Sequence, residues 1–175
     1  VVQDGYVLTN AHVVAGTERV SLDTVVGVKP ADVVLYDPDT DIAVLHAEGL
    51  GLPALPWSET VLASGDDAVV MGYPRSGPFE AAPARIRGKL TIAGPDIYTT
   101  GRVEREAYTV RGDIRQGNSG GPLLTPAGEV AGMIFGASLD ASETGYALTA
   151  RQVQQRVGEV TRLSGVVDTQ SCVSD

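Results

Sequence analysis

Short runs of apolar and β-branched residues recur along this chain, and glycine, proline, asparagine or aspartate separates each run from the next. In chain order they are YVLTN, RVSLDTVVGV, DVVLY, IAVLHA, AVVMGY, ARIRGKLTIAG, AYTVRG, EVAGMIFGAS and TGYALTA. Runs of this length between turn residues are typical of antiparallel strands, whereas βαβ units would need long amphipathic helices between them. The pattern therefore predicts an all-β sandwich or barrel.

One helix is predicted near the C-terminal end. Thr149 and Gln152 form a capping box, and Val153, Val157 and Val160 fall on one helical face. We expect this apolar stripe to pack against a barrel.

The composition also divides the chain. Apolar alternation stops in LGLPALPWSETVLASG and resumes at Ala68, so a boundary between two β units is expected there. The predicted segments are an N-terminal β unit at 1–55, a linker at 56–64, a second β unit at 65–148, the helix at 149–161 and a tail at 162–175. The tail carries too little apolar content to order itself unless something ties it down.

Charge and apolar content exclude several classes of partner. Lys and Arg number 13 against 22 Asp and Glu, a formal net charge of −9 that repels phosphate backbones and anionic lipid. Nucleic acid is therefore not an expected partner. No apolar run approaches the roughly 20 residues of a membrane helix, and no signal peptide opens the chain. The one cysteine, Cys172, excludes an internal disulfide and a cysteine-based metal cluster.

The stretch QGNSGGPL places Ser119 among three glycines. It fits the G-x-S-x-G elbow of α/β-hydrolases, and equally the serine loop of a different class of hydrolase. A serine hydroxyl needs a neighbouring base, and the chain's two histidines, His12 and His46, both precede Ser119. An α/β-hydrolase needs its histidine after the serine, and it needs a helix where Pro122 leads into more strand. The elbow interpretation fails on both points.

The order His, Asp, Ser is available instead. His12 lies in VLTNAHVV, Asp41 in DPDTDIAVL and Ser119 in GNSGGPL. From about Gly5 to Val153 these motifs resemble those of trypsin-like serine proteases, and their wording is closest to the HtrA (DegP-like) branch. Within that branch the chain resembles acid-resistance proteases of the actinobacterial cell envelope.

The resemblance implies a fold and a set of roles. It implies two antiparallel β-barrels of the chymotrypsin type with a short C-terminal helix, the first barrel lacking its N-terminal strand. Ser119 would be the nucleophile, His12 the general base and then acid, and Asp41 the carboxylate that orients the imidazole. The backbone N–H groups of Gly117 and Ser119 would form the oxyanion hole, with no metal or organic cofactor.

Asn118 departs from the aspartate that digestive members of the family carry before the serine. In those enzymes the aspartate pairs with a newly freed terminal amine, and a neutral amide cannot make that ion pair. Activation by that route is therefore not expected, as in the HtrA branch. The order of the serine loop must have another source.

The resemblance leaves the specificity pocket open. Its floor would be Asp113, with Phe135, Ala137 and Gly145 in its walls. A carboxylate floor favours Arg or Lys before the scissile bond. Arg111 and Arg115 flank Asp113 and could instead neutralise it in an ordinary loop ion pair, and the narrow walls suit smaller or apolar side chains.

Three further residues have simpler interpretations. His46 lies at a strand end with no motif around it, so we expect an ordinary half-buried or surface histidine. Asp37 and Asp39 flank Pro38 and are expected to be turn residues.

The sequence thus predicts a serine endopeptidase acting on protein or peptide substrates outside the cytoplasm. Membrane tethering through sequence not present here, and a role in envelope stress or acid resistance, are expected from the resemblance. So is a disulfide between Cys172 and a cysteine upstream of Val1. The alternatives are a catalytically idle, chaperone-like peptide-binding module on the same fold and, third, a lipase or esterase.

Overall fold

A computed structural model describes residues 1–138 and 143–173. Within them the strands are β1 (Tyr6–Thr9), β2 (Val20–Thr24), β3 (Gly27–Asp37), β4 (Ile42–His46), β5 (Asp67–Gly72), β6 (Glu80–Pro95), β7 (Arg102–Gly112), β8 (Pro122–Leu124), β9 (Val130–Ala137) and β10 (Thr144–Thr149). The helices are α1 (Ala11–Val14) and α2 (Ala150–Val157), with 3₁₀ turns at Pro74–Ser76 and Val160–Arg162. The all-β fold class with a short C-terminal helix is confirmed. Residues 139–142 of the predicted second unit and 174–175 of the predicted tail lie outside the described residues.

The chain packs as two compact units. The first comprises Val1–Leu55, Gly94–Val103 and Val157–Asp175, and the second comprises Pro56–Ala93 and Glu104–Arg156. The tip of the β6–β7 hairpin and the C-terminal tail thus belong to the first unit, although the strands on either side of that tip belong to the second.

The first unit is an open antiparallel sheet in the order β1-β4-β3-β2. Its apolar face buries the side chains of Val14, Ala31, Val33, Ala43, Leu45 and Ala47. The run RVSLDTVVGV, predicted as one strand, is in fact two strands joined by a tight turn. Gly27 has φ 102°, and the Thr24 hydroxyl donates to the Gly27 carbonyl at 2.7 Å. Val25, in the turn, is 94% exposed, so its apolar character misled the strand prediction.

The second unit is a closed ring of six strands in the order β10-β7-β6-β5-β8-β9. Its core includes Val70, Ile86, Val110, Leu123 and Ile134, each no more than 1% exposed. Burial of these side chains supplies most of the driving force for folding this unit, at roughly 25 cal/mol per Å² of apolar surface. Closure gives each of the six described strands a neighbour on both sides.

Helix α2 begins at the predicted cap. The Gln152 N–H donates to the Thr149 hydroxyl at 3.1 Å, while the Gln152 side chain accepts the N–H of Glu106 at 3.0 Å. One half of the capping box is therefore formed, and the other half ties the helix to β7. The helix ends at Val157 because Gly158 adopts φ 61°, so it is shorter than the predicted segment.

The tail packs on the first unit without a covalent link among the described residues. The Val167 N–H donates to the Val33 carbonyl at 2.9 Å, and the Val167 side chain packs against the apolar cluster of the sheet. No helix formed by residues 1–138 or 143–173 has the length and apolar character needed to cross a lipid bilayer.

Candidate active site

His12 and Asp41 are in contact within the first unit. Strand pairing brings them together, since Thr9 at the end of β1 lies opposite Ala43 in β4. His12 Nδ1 lies 2.7 Å from Asp41 Oδ2, and the His12 backbone N–H donates to Asp41 Oδ1 at 2.9 Å. The Asp41 side chain is 5% exposed and the His12 side chain 32% exposed. An ionised carboxylate only accepts hydrogen bonds, so the contact places the imidazole proton on Nδ1 and leaves Nε2 as an acceptor.

Asn10 supports Asp41, a role that the sequence analysis did not assign. Its side chain is 0% exposed, and its Nδ2–H donates to the Asp41 carbonyl at 2.8 Å. Asp41 has φ 61°, in the left-handed region where a residue other than glycine is strained. The amide thus helps to hold the backbone conformation from which the carboxylate reaches His12. Asn10 stands in the quoted motif TNAHVV, but nothing in the sequence names its partner.

The turn before Asp41 is capped by Asp37, which is 5% exposed. Its Oδ1 accepts the N–H groups of Asp39 at 3.0 Å and Thr40 at 3.3 Å, and its Oδ2 accepts the Thr40 hydroxyl. This confirms Asp37 as a turn residue.

Ser119 lies in the loop between β7 and β8 of the second unit. Asn118, 4% exposed, orders this loop from within. Its Oδ1 accepts the Arg115 N–H at 3.0 Å, and its own N–H donates to the Arg115 carbonyl at 3.0 Å. The buried amide is therefore a source of loop order that requires no terminal amine.

Close backbone contacts hold the same loop against the end of β5. A Cβ on Gly117 would lie 2.4 Å from the Tyr73 carbonyl oxygen, and a Cβ on Gly121 would lie 2.2 Å from the Met71 carbonyl oxygen. Gly117 also has φ 96°. Only glycine fits these two positions without displacing backbone.

The backbone N–H groups of this loop differ in whether they donate a hydrogen bond within residues 1–138 and 143–173. Asn118 donates to Arg115, and Gly120 donates to Ile134 at 2.9 Å. The N–H groups of Gly117 and Ser119, by contrast, have no acceptor in the described part of the chain. They are the two groups that the resemblance assigns to the oxyanion hole.

Asp113, the predicted pocket floor, is paired with its neighbour. The Arg115 guanidinium donates to the Asp113 carboxylate, and both side chains are about half exposed, at 43% and 56% respectively. Asp113 lines an open cavity of about 440 Å³ that also carries Arg85 and Arg111. Its charge is thus balanced by arginine rather than left free at a pocket floor.

The other predicted pocket residues lie on β9 and β10. Ala137 lies opposite Gly145. A Cβ added to Gly145 would lie 2.4 Å from the side chain of Ile114. The Phe135 ring lies 6.3 Å from the Tyr146 ring. Glycine at 145 therefore makes room for Ile114, a structural reason for the residue beside any role toward substrate.

His46 and Cys172 lie elsewhere in the first unit. The His46 ring is half-buried against Tyr6, with ring centroids 4.8 Å apart. Cys172 is an exposed free thiol beside Gly16, where a Cβ would lie 2.5 Å from its sulfur.

Comparison with known proteins agrees with these features. The model of the trypsin-like peptidase domain matches residues 1–133. Serine protease Rv3671c of Mycobacterium tuberculosis H37Rv is 44% identical over 99% of this chain and 44% of its own length. The putative serine protease HhoB of Synechocystis is 33% identical over 89% of this chain and 37% of its own length. This chain therefore spans less than half of these relatives.

Solved structures agree with the sequence matches. The structure of M. tuberculosis Rv3671c protease in its active form superposes with a TM-score of 0.96 at 43% identity, covering 99% of this chain and 77% of that one. The HtrA-type protease AlgW with a decapeptide gives a TM-score of 0.77 at 25% identity, covering 92% of this chain and 50% of that one. With the sequence matches, these structures establish that the chain belongs to the trypsin-like peptidase family, with HtrA-type proteases among its relatives.

Proposed function

We propose that the chain is the peptidase domain of a serine endopeptidase that works through an acyl-enzyme. The observation that carries this proposal is the 2.7 Å contact between His12 Nδ1 and Asp41 Oδ2. It holds the imidazole in the tautomer whose Nε2 can accept a proton. Ser119, in GNSGGPL, is the hydroxyl that we assign to this base.

In the proposed reaction, Ser119 Oγ attacks the carbonyl carbon of the scissile bond while His12 Nε2 takes the hydroxyl proton. The N–H groups of Gly117 and Ser119 stabilise the oxyanion. His12 then gives the proton to the leaving amine, and water repeats the sequence on the acyl-enzyme to release the acid. Asp41 stays ionised throughout and stabilises the imidazolium.

Similarity to the different forms of one relative supports a working serine loop. The Rv3671c structure described as the active form has a TM-score of 0.96, whereas those described as inactive forms have TM-scores of 0.85 and 0.84. The internal bonds of Asn118 and the unused N–H groups of Gly117 and Ser119 agree with this similarity. We infer that the loop of this chain has the arrangement of the active form.

For specificity we propose a smaller or apolar side chain before the scissile bond, held among Phe135, Ala137 and Gly145. The ion pair between Asp113 and Arg115 supports this choice over a basic residue. Cleavage-site mapping in a peptide mixture decides between them. If Asp113→Asn abolishes cleavage after Arg and Lys in that mixture, the basic preference is correct.

The relatives also support a location outside the cytoplasm. DegP-like relatives from Chlamydia carry the description of probable periplasmic endoproteases. We propose protein substrates in the periplasm or cell envelope, a role in envelope stress or acid resistance, and membrane tethering through sequence outside these residues. Fractionation of cells that express the longer protein tests its location. Survival under acid or envelope stress, compared between cells with the wild type and cells with Ser119→Ala, tests the role.

We also propose that Cys172 forms a disulfide with a cysteine upstream of Val1 in the longer protein. The thiol is exposed, and it lies where the tail already packs on Gly16. A disulfide that closes so long a loop stabilises a fold by roughly 2–5 kcal/mol. Peptide mapping of the oxidised longer protein, with and without reductant, tests the pairing. A free Cys172 thiol would contradict it.

A fluorophosphonate probe tests the main proposal. We expect the probe to label the protein at Ser119, and Ser119→Ala to lose both labelling and peptidase activity, by about 10⁴-fold or more in rate. The exposed Ser64, in the same unit, provides the matched control, and Ser64→Ala should keep both. Substantial turnover by Ser119→Ala would overturn the assignment.

The alternative is an idle peptide-binding module, and the same probe separates it from a protease. A protein that binds peptides but never takes up the probe would favour the idle module. The intact contact between His12 and Asp41 argues for the enzyme, since an idle scaffold has no need for an oriented base. Weak ester turnover would not support a lipase, because serine proteases also hydrolyse activated esters.

A further inference from the structure

Tyr98 lies at the tip of the β6–β7 hairpin, within the first unit. The tip is a fixed turn organised by Asp96, which is 6% exposed. Asp96 Oδ1 accepts the N–H groups of Tyr98 at 2.8 Å and Thr100 at 3.1 Å, and Oδ2 accepts the Thr100 hydroxyl at 2.7 Å. The Thr100 hydroxyl, with these N–H groups, holds the pKa of the Asp96 carboxyl below its usual range. The position of Tyr98 is therefore fixed by its own turn.

On one side, the tip contacts the segment that leads to Asp41. The hydroxyl oxygens of Tyr36 and Tyr98 lie 2.6 Å apart, and the Ile97 N–H donates to the Pro38 carbonyl at 3.3 Å. Tyr36 is the penultimate residue of β3, next to Asp37, and Pro38 lies within the turn that Asp37 caps. The tip thus holds the turn that delivers Asp41.

On the other side, Tyr98 contacts the C-terminal tail. Its hydroxyl donates to the Ser171 carbonyl at 2.8 Å and lies 3.4 Å from the Thr169 carbonyl. Thr169, 7% exposed, in turn holds the segment that follows α1. Its carbonyl accepts the Gly16 N–H at 3.0 Å, and its hydroxyl donates to the Thr17 carbonyl at 2.9 Å.

The hydroxyl hydrogens of Tyr36 and Tyr98 determine which oxygen donates and which accepts in each hydrogen bond. A phenol has one hydrogen, so if Tyr98 donates to Ser171, Tyr36 must donate to the Tyr98 oxygen. Burial, and then the bond to Tyr98, raise the pKa of Tyr36, so its hydroxyl stays protonated and can donate. The Tyr98 hydroxyl therefore bonds both to Tyr36, beside the Asp41 turn, and to Ser171 in the tail.

We propose that Tyr98 is a positioning residue, whose hydroxyl sets the spacing between the segments that carry His12 and Asp41. The inference rests on the proposed function, in which this pair is the general base. Tyr98 does not touch the reacting atoms. It acts through Tyr36 on the Asp41 turn, and through Ser171 on the tail, whose Thr169 holds the segment that follows the His12 helix.

The test compares three tyrosine-to-phenylalanine variants in the same unit. Tyr98→Phe removes both bonds of the shared hydroxyl, whereas Tyr36→Phe leaves the bond to the tail. Tyr6→Phe is the matched control, because the Tyr6 ring packs on His46 and its hydroxyl has no hydrogen-bond partner among the described residues. Thr169→Val tests the tail side separately while keeping the side-chain volume.

We expect Tyr98→Phe to lower kcat about 10- to 100-fold with KM changed less than about twofold, since a displacement of about 1 Å costs this much in rate. Tyr36→Phe and Thr169→Val should have smaller effects, and Tyr6→Phe none. The acid limb of the pH–rate profile should move to lower pH in Tyr98→Phe, because Asp41 stabilises the imidazolium less well. The low-field proton resonance of His12 Nδ1–H should broaden or disappear.

A merely structural role for Tyr98 gives a different result. If Tyr98→Phe lowers only the melting temperature and keeps kcat, the acid limb and the resonance, the proposal is overturned. The resonance is measured without substrate, and therefore tests the positioning role even if Ser119 fails to take up the fluorophosphonate probe. Failure of probe labelling in the wild type removes the proposed function, whereas an unchanged resonance in Tyr98→Phe removes this inference.

Discussion

The two units hold their predicted catalytic residues by different kinds of contact. In the closed ring, the Ser119 loop is fixed mainly by backbone packed against backbone, at Gly117 and Gly121, with one buried side chain, Asn118, bonded within the loop. In the open sheet, the segments that carry His12 and Asp41 are held mainly by polar side chains. A ring can support a loop through its own strands, whereas an open sheet needs ties from distant segments. The first kind of contact is sensitive to added volume, and the second to the loss of one polar atom.

The largest effect is expected from a change to the contact between His12 and Asp41 in the open sheet. Asp41→Asn keeps the shape of the side chain but allows the wrong imidazole tautomer, so we expect a rate loss of about 10⁴-fold. KM and the melting temperature should stay close to wild type. Steady-state kinetics and calorimetry provide the measurement, with the exposed Asp32→Asn as control. Near-normal turnover would mean that another carboxylate serves His12.

The next effect tests the packed backbone of the ring. Gly121→Ala places a methyl group 2.2 Å from the Met71 carbonyl oxygen and 2.8 Å from the Asn118 carbonyl oxygen. Because both close atoms belong to the backbone rather than to the end of a flexible side chain, we expect a loss of about 1–3 kcal/mol or more in the free energy of unfolding. Gly88→Ala, in the same ring with its nearest neighbour 3.9 Å away, is the control. Equal denaturation midpoints for the two variants would contradict the steric explanation.

The loss of one polar side chain tests the open sheet, as the added methyl group tests the ring. Asn10→Ala removes the donor to the Asp41 carbonyl and leaves a buried acceptor unpaired, at a cost of about 1–3 kcal/mol. It should also lower kcat, because Asp41 can then relax from its left-handed backbone conformation. Chemical denaturation and kinetics are measured together. A stability loss without any change in kcat would limit Asn10 to a structural role.

The smallest expected effect concerns Glu106, a polar tie within the ring unit. The bond to Arg151, and then that to Thr149, hold the pKa of Glu106 below its ordinary value of 4.5. A depressed pKa stabilises the fold above that ordinary value, and the gain disappears as the pH falls through the folded pKa. Glu106→Gln should therefore be less stable than wild type at pH 7, by about 1 kcal/mol or less, and the gap should close on acidification. Melting temperatures from pH 7 to pH 3 test this, and a constant gap would contradict it.

The fold class and the three candidate catalytic residues can be predicted from the sequence because both depend on local patterns. Strand runs are read from neighbouring residues, and GNSGGPL carries its own glycines. The supporting residues are different, since Asn10 reaches a partner 31 positions away and Tyr98 reaches Tyr36 across 62. No local pattern encodes such a pair. The prediction of one strand across Val25 was wrong for the opposite reason. The local apolar pattern was present, but Val25 lies exposed in a turn.

The tail has a further consequence, for the order of events during synthesis. The hydroxyl of Thr169 reaches the carbonyl of Thr17 across 152 positions of sequence, so the segment that follows His12 receives this support only after Thr169 has been translated. Strands β1 to β4 leave the ribosome long before that support exists, and contacts of such wide separation form late. The nascent chain therefore carries His12 without this support until the whole ring unit and then Thr169 have been translated.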